Sequence, residues 1–196
     1  AASARGVVVM NTPFGNSIAE SQANRFLDMV DANLTLNDAG LIQHGIVRLM
    51  PKRRIRTPRQ LASFVYRLPE RRARSRAARD KAIGYHAFNT YAFAVLHAQF
   101  PEHPNWSSEK ITRAVAFLNS NAYRSEIENS HYGFPYNPPG FEVALTLEEI
   151  GVSPDMNSSQ PSTWIKLQFD RCFNEKTQLM DGDTSDSNTQ CARLYE

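Results

Sequence analysis

The chain has 196 residues, of which 41% are hydrophobic, and this composition indicates one globular domain and excludes a largely disordered segment. It contains no run of about eighteen apolar residues, so the sequence predicts no membrane span. The net charge is +2, but twelve of the 22 Lys and Arg residues lie within residues 52–81, beside only two acidic residues. One side of the molecule is therefore predicted to be strongly positive.

The N-terminal part of the chain predicts a short extended leader followed by a helix. Val7, Val8 and Val9 form a β-branched run, and turn-forming residues follow it, so residues 1–15 are predicted to be extended. From Ser17 the apolar residues recur at helical spacing, until Asn37 and Gly40 break the pattern. Residues 16–196 are predicted to form a single helical domain, consistent with a piece of a larger protein.

A second helix start is predicted at Thr57. Threonine can cap the helix, Pro58 suits its first position, and Gln60 completes a capping box. Pro69 marks the end of that helix and suits the first turn of the next.

Twenty uncharged residues then separate Lys81 from Glu102, which is typical of a buried helix. One predicted face of this helix is apolar and consists of Phe88, Ala92, Val95 and Leu96. The other is polar but uncharged, which suits the wall of a pocket, and consists of His86, Asn89, Thr90, Phe93 and His97.

Further helices are predicted over residues 106–120, 141–150 and 162–173, with a final one capped by Thr184 or Ser185. Only the leader suggests a strand, so the predicted fold class is all-α. The rhythm of paired helices predicts a helical array or a partial (α/α) toroid. Cys172 and Cys191 are interpreted as free thiols, and the sequence indicates neither a metal site nor a cofactor.

Residues 130–142, SHYGFPYNPPGFE, form the most distinctive stretch of the chain, and we call them the aromatic loop. Its prolines and glycines would fix the backbone before a ligand arrives. Tyr132, Tyr136 and two phenylalanines can stack on a sugar ring or a base, and His131, Asn137 and Glu142 can hydrogen-bond to hydroxyl groups. The alternative is a loop that fills the helical core with its own aromatic side chains.

Together with residues 84–96 and Asp183-Thr184, this loop resembles successive elements of the (α/α) toroids of the N-acylglucosamine 2-epimerase superfamily. The resemblance covers about 60 residues. A full toroid has twelve helices and needs nearly twice this length, so the resemblance implies half of such a fold, completed by a missing remainder of the same protein.

The resemblance implies a carbohydrate-active enzyme of the sugar epimerase or isomerase kind, with a small carbohydrate as partner. Histidines in that superfamily move protons at a carbon next to the carbonyl of an opened sugar, which implies that His86 and His131 are the base and the acid. The residues implied to bind substrate are Tyr85, Asn89, Tyr132, Tyr136, Asn137 and Glu142.

The basic segment supports an alternative function, a helical module that binds nucleic acid or another polyanion. Arginine contacts phosphates through two hydrogen bonds without reading sequence. The candidate residues are Arg53, Arg54, Arg72, Arg76 and Arg79. These side chains also suit a solvated helix face with acidic partners elsewhere in the molecule. The compartment stays open, with the cytoplasm slightly favoured.

Overall fold

The computed structural model describes residues 17–43, 68–151 and 160–192. In this part of the chain the regular structure consists of seven α-helices and one 3₁₀ turn, with only isolated β-bridges. The α-helices are α1 (Ser17–Asn33), α2 (Leu68–Gln99), α3 (Glu109–Leu118), α4 (Asn121–Glu128), α5 (Pro139–Glu149), α6 (Pro161–Cys172) and α7 (Ser187–Ala192). The all-α prediction is confirmed for these residues. The toroid stays a prediction, and the leader and the capping box at Thr57 lie outside the described residues.

The predicted starts of α1, α5 and α6 are confirmed to within two residues. Helix α1 begins at Ser17, α3 follows a 3₁₀ turn at Pro104–Ser107, and α5 begins at Pro139, two residues earlier than predicted. Pro69 lies in the first turn of α2, where proline is tolerated because the N–H it lacks has no partner within the helix. Helix α4 has no counterpart in the sequence analysis. Ser120 caps it by accepting a hydrogen bond from the backbone N–H of Tyr123.

Helix α2 is the longest element, with 32 residues, and it packs most extensively against α5, which in turn packs against α6. Two clusters of buried side chains surround it. The larger includes Ile83, Phe117, Tyr123, Phe134 and Trp164. The smaller includes Leu27, Val30, Phe93, Trp106 and Ile111, and it attaches α1 and the 3₁₀ turn to α2 and α3.

The structure reverses the two faces that the sequence predicts for α2. Phe88 and Val95 of the predicted apolar face are 38% and 43% exposed. The predicted polar face points into the core instead, where His86 and Thr90 are fully buried. Thr90 satisfies its hydroxyl by donating to the carbonyls of His86 and Ala87 in the preceding turn. Polar side chains whose hydrogen bonds are satisfied inside the protein can therefore line the packed side of this helix.

Both cysteines are free, as predicted. Cys172 lies in the core, and Cys191 is half-buried. Burial, helped by the negative charge of Asp183, raises the pKa of the Cys172 thiol to about 11, so this thiol is protonated at neutral pH. Among the described residues, no helix combines the length and the apolar character that a membrane crossing requires.

Gly84 allows the aromatic loop to approach α2 closely. A Cβ at this position would lie 2.2 Å from the Cβ of Tyr132 and 2.5 Å from its carbonyl oxygen. We expect Gly84→Ala to lower the free energy of unfolding by about 1 to 3 kcal/mol, the usual cost of overpacking. Alanine is intrinsically the better helix former by about 1 kcal/mol, so helix propensity alone would make Gly84→Ala stabilising. A loss of stability would therefore report the steric conflict with the loop.

Urea unfolding followed by circular dichroism would measure this change. The matched control is Ala78→Gly on an exposed part of the same helix, which reports the propensity difference alone. A Gly84→Ala variant that is as stable as the parent, or more so, would show that the loop does not need this close approach.

Candidate functional site

Three of the predicted substrate-binding residues converge in the structure. The rings of Tyr85, Tyr132 and Tyr136 form a triangle whose centroid separations are 5.9, 5.9 and 6.1 Å, and we call it the tyrosine cluster. Tyr85 comes from α2, and the other two come from the aromatic loop. Tyr136 is 40% exposed, and the other two rings are half-buried. The cluster is therefore an aromatic surface whose rings pack against one another while remaining accessible to a ligand.

Three side chains surround the tyrosine cluster. Phe88 packs its ring at 87° to that of Tyr85, with centroids 6.3 Å apart. The Lys81 ammonium lies 5.6 Å from the centroid of the Tyr85 ring, and the His131 ring lies 5.4 Å from that of Tyr132. Lys81 and His131 are both exposed, so the cluster has a cation on one side and a histidine on another.

Backbone contacts with α2 hold one side of the aromatic loop. The buried Asn137 amide donates to the carbonyl of Gly84 at 3.2 Å and to that of Tyr132 at 2.9 Å. Ser130 donates to the carbonyl of Asp80 at 3.1 Å. The bonds to Gly84 and Asp80 join the loop to backbone carbonyls of α2, whose positions do not depend on side-chain rotamers, and the bond to Tyr132 braces the loop itself. The orientation of Tyr132 relative to Tyr85 is set by them.

The C-terminal segment holds the other side of the loop. Phe134 is fully buried, and the Arg171 guanidinium lies 4.7 Å from its ring centroid. The Gln190 amide donates to the carbonyl of Phe134, while the backbone N–H and hydroxyl of Ser185 both donate to the carbonyl of Pro135. The loop therefore fits both interpretations: Phe134 fills the core, and the neighbouring tyrosines face outward.

The two predicted catalytic histidines lie in different environments. His86 is fully buried; its Nδ1 accepts from the backbone N–H of Ile42 at 3.2 Å, and its Nε2 lies 3.0 Å from the carbonyl oxygen of Ala114. This pattern corresponds to a neutral ring with the proton on Nε2. Both nitrogens therefore connect backbone segments, whereas His131 is exposed beside Tyr132. Their roles as base and acid stay predictions.

The predicted hydrogen-bonding residues are divided between the core and its edge. Asn89 is half-buried one helical turn beyond Tyr85. Asn137 is fully buried and Glu142 is 4% exposed, so both lie inside the protein. Burial raises the pKa of Tyr123 well above its ordinary value, and the negative charge of the nearby Glu142 raises it further. A substrate-binding role for these three residues stays a prediction.

The basic segment is described only in part. Arg53 and Arg54 lie outside the described residues, as does the side chain of Arg72. Arg76 is exposed. Arg79 donates from Nε and Nη2 to the two carboxylate oxygens of Glu126 at 2.7 and 2.6 Å, a two-point ion pair between α2 and α4. Arg79 therefore has the acidic partner in the same molecule that a solvated helix face implies.

Lys81 and Phe88 are neighbours of the cluster that the sequence analysis did not assign to it. Their spacing from Tyr85 indicates that they are its neighbours, because residues four before and three after Tyr85 lie on the same side of the helix. The sequence analysis assigns Lys81 to the basic segment and Phe88 to the predicted apolar face of α2 instead.

One comparison with curated proteins identifies a relative of this chain. Archaeal glycosylation protein Q from Haloferax volcanii is 32% identical over 186 residues, which cover 87% of this chain and 47% of the relative. The chain thus spans about half the length of that relative. No protein-family profile and no solved structure matches the chain.

Replacing Asn137 with aspartate tests how the loop is held. A carboxylate at this position would face two carbonyl oxygens that now accept hydrogen bonds, and we expect Asn137→Asp to destabilise the fold by about 3 kcal/mol or more at pH 8. Burial would raise the folded-state pKa of the new carboxyl above about 3.9, its unfolded value. The destabilisation is therefore present above the raised pKa and decreases as pH falls through it.

The measurement is urea unfolding of the variant at pH 8 and pH 5. Asn137→Ala is the control, because it removes the same hydrogen bonds without adding an ionisable group. Equal destabilisation of the two variants at both pH values would show that the amide does not face these carbonyls in a dry environment.

Proposed function

We propose that this protein binds carbohydrate in a glycosylation process and that the tyrosine cluster is the sugar-binding surface. The observation that carries the proposal is the convergence of Tyr85, Tyr132 and Tyr136 on one accessible surface. The name of the Haloferax volcanii relative supports the process, although the chain spans only about half of that protein.

The chemistry of the cluster suits a sugar. The face of an aromatic ring carries partial negative charge, which attracts the C–H groups on the flat face of a pyranose. Tyrosine hydroxyls both donate and accept hydrogen bonds, so they complement sugar hydroxyls at the edge of the rings. Since Tyr132 and Tyr136 are held by backbone bonds on both sides of the loop, little conformational entropy is lost when a ligand orders them.

A specific reaction is the finer form of the proposal. Sugar epimerisation or isomerisation requires a proton to leave and return at a carbon next to a carbonyl, and the resemblance to the N-acylglucosamine 2-epimerase superfamily supports it. His131 is the accessible candidate, being exposed beside Tyr132. Binding is the part of the proposal that the geometry supports better, because His86 uses both ring nitrogens within the core.

Sugar binding is tested by Tyr136→Ala. Tyr136 is the most exposed member of the cluster, so its loss removes ring contacts with a ligand at least cost to the fold. We expect affinity to fall about three- to tenfold, given 0.5 to 1.5 kcal/mol for an aromatic contact. Saturation-transfer NMR would be recorded with neutral and acidic monosaccharides and short oligosaccharides, at low and high salt.

The matched control is Phe26→Ala, which removes a 54% exposed aromatic ring from α1. Equal binding by the parent and both variants, or an equal loss in both variants, would contradict the assignment of the cluster. Binding only to heparin-like polymer or nucleic acid, lost as salt rises, would favour the basic segment instead.

The reaction is tested separately by incubating the protein with the sugars that bind and recording proton NMR in deuterium oxide. If His131 exchanges the proton next to the carbonyl, that proton signal disappears with the parent chain and persists with His131→Ala. An unchanged signal with the parent chain and a ligand that still binds would reject the isomerase reaction and leave sugar binding in place.

A further inference from the structure

Lys81 differs from two arginines near the aromatic loop, because those arginines already have acidic partners. Arg79 donates to both carboxylate oxygens of Glu126, and Arg171 donates from Nη2 to Asp183 at 3.0 Å. In the part of the chain that the structure describes, no acidic side chain lies within ion-pairing distance of Lys81. Its side chain is exposed, so its positive charge is available to a ligand.

Asp80 is the acid next to Lys81 in sequence, but it lies on a different side of α2. Consecutive residues of a helix point about 100° apart, so they do not face each other. Asp80 lies where the helix meets the start of the aromatic loop, and its backbone carbonyl accepts a hydrogen bond from Ser130. Lys81 instead shares the side of the helix on which Tyr85 lies, one turn further on.

The ring of Tyr85 positions the Lys81 ammonium group. The Nζ atom lies 5.6 Å from the centroid of this ring, within the range of a cation–π interaction. Tyr85 also packs against Tyr132 and Tyr136, so its ring supports the cation and the loop and is not itself the surface for a sugar. The ring on which a ligand can stack is Tyr136, which is 40% exposed and whose centroid lies 6.1 Å from that of Tyr85.

We propose that the tyrosine cluster selects a sugar that carries an anionic group at the edge of its ring, and that Lys81 is the residue that makes this selection. The inference rests on the proposed sugar-binding function. A pyranose that stacks on Tyr136 through its flat face directs the substituent on C5 outward, past the edge of the tyrosine ring. A carboxylate there, as in a uronic acid, faces the neighbouring cation, and the flexible stem of lysine lets the ammonium group reach it.

The expected selectivity is modest because the ion pair forms at an exposed position. Exposed pairs of lysine and carboxylate contribute little in water, which corresponds to a gain in affinity of about 1.5- to fivefold. The gain should decrease as salt screens the two charges. The stacking contact with Tyr136 involves no charge, so a neutral sugar should bind equally well at low and high salt.

The test compares methyl glycosides that differ only at C6: the glucoside, the glucuronide, the glucuronamide and the glucoside 6-phosphate. The methyl group prevents ring opening, so no isomerase reaction can interfere. Dissociation constants would be measured by ligand-observed NMR titration at low and high salt. We expect the parent chain to bind the glucuronide about 1.5- to fivefold more tightly than the uncharged glucuronamide at low salt.

Lys81→Met removes the charge and keeps most of the stem, so it should bring the ratio of the two affinities to about one, whereas Lys81→Arg should preserve the preference. The matched control is Lys176→Met, which removes the same charge from an exposed position in the turn after α6 and should leave the ratio unchanged. Because the measured quantity is a ratio, a general weakening of the cluster cancels. Circular dichroism would establish that each variant is folded.

A Lys81-dependent preference for either charged glycoside supports the proposal, and the larger of the two preferences identifies the anionic group. Equal binding of the glucuronide and the glucuronamide, with both weakened by Tyr136→Ala, would overturn the selection by Lys81 and leave sugar binding in place. If no glycoside binds, both proposals fail. A preference that survives in Lys81→Met, or competition by acetate or inorganic phosphate as strong as that by the charged glycosides, would also overturn the inference.

Discussion

The close approach of the aromatic loop to α2 is the constraint on which the rest of the structure depends. With no side chain at Gly84, Tyr132 lies against the helix backbone, and Asn137 can reach two carbonyl groups at once. This fixes the path of the loop, which places Phe134 in the core and Tyr132 and Tyr136 beside Tyr85. The C-terminal segment then binds to the carbonyls of the fixed loop. One missing methyl group thus determines where the tyrosine cluster is.

The sequence was informative where local chemistry decides the structure. The starts of α1, α3 and α6 follow from helical spacing and from caps or prolines within a few residues. The aromatic loop could be recognised as a preformed element because proline and glycine restrict the backbone whatever surrounds it. Tyr132 and Tyr136 belong to this loop, whereas Tyr85 is implied by the resemblance to the epimerase superfamily, and the structure brings these three together.

Sequence reasoning failed where distant contacts decide. Without charges in the middle of α2, periodicity could divide its residues into two faces but could not say which one meets the core. The buried His86 and Asn137 form hydrogen bonds with backbone groups between 28 and 53 residues away in sequence. Asn137 also donates to the nearby carbonyl of Tyr132. The local sequence pattern contains no signal for such distant partners. A buried polar side chain that is satisfied by them therefore cannot be distinguished from a functional residue by sequence alone. Helix α4 was missed because it has only Tyr123 and Ile127 as buried residues.

The two buried clusters are joined as well as adjacent. Leu147 of α5 packs against both of them, and α2 contributes Ile83 to one and Phe93 to the other. An opening that separates either cluster from α2 or α5 therefore removes contacts from the other. We expect the described helices to exchange their protected amide hydrogens through one shared opening event rather than as two independently unfolding halves.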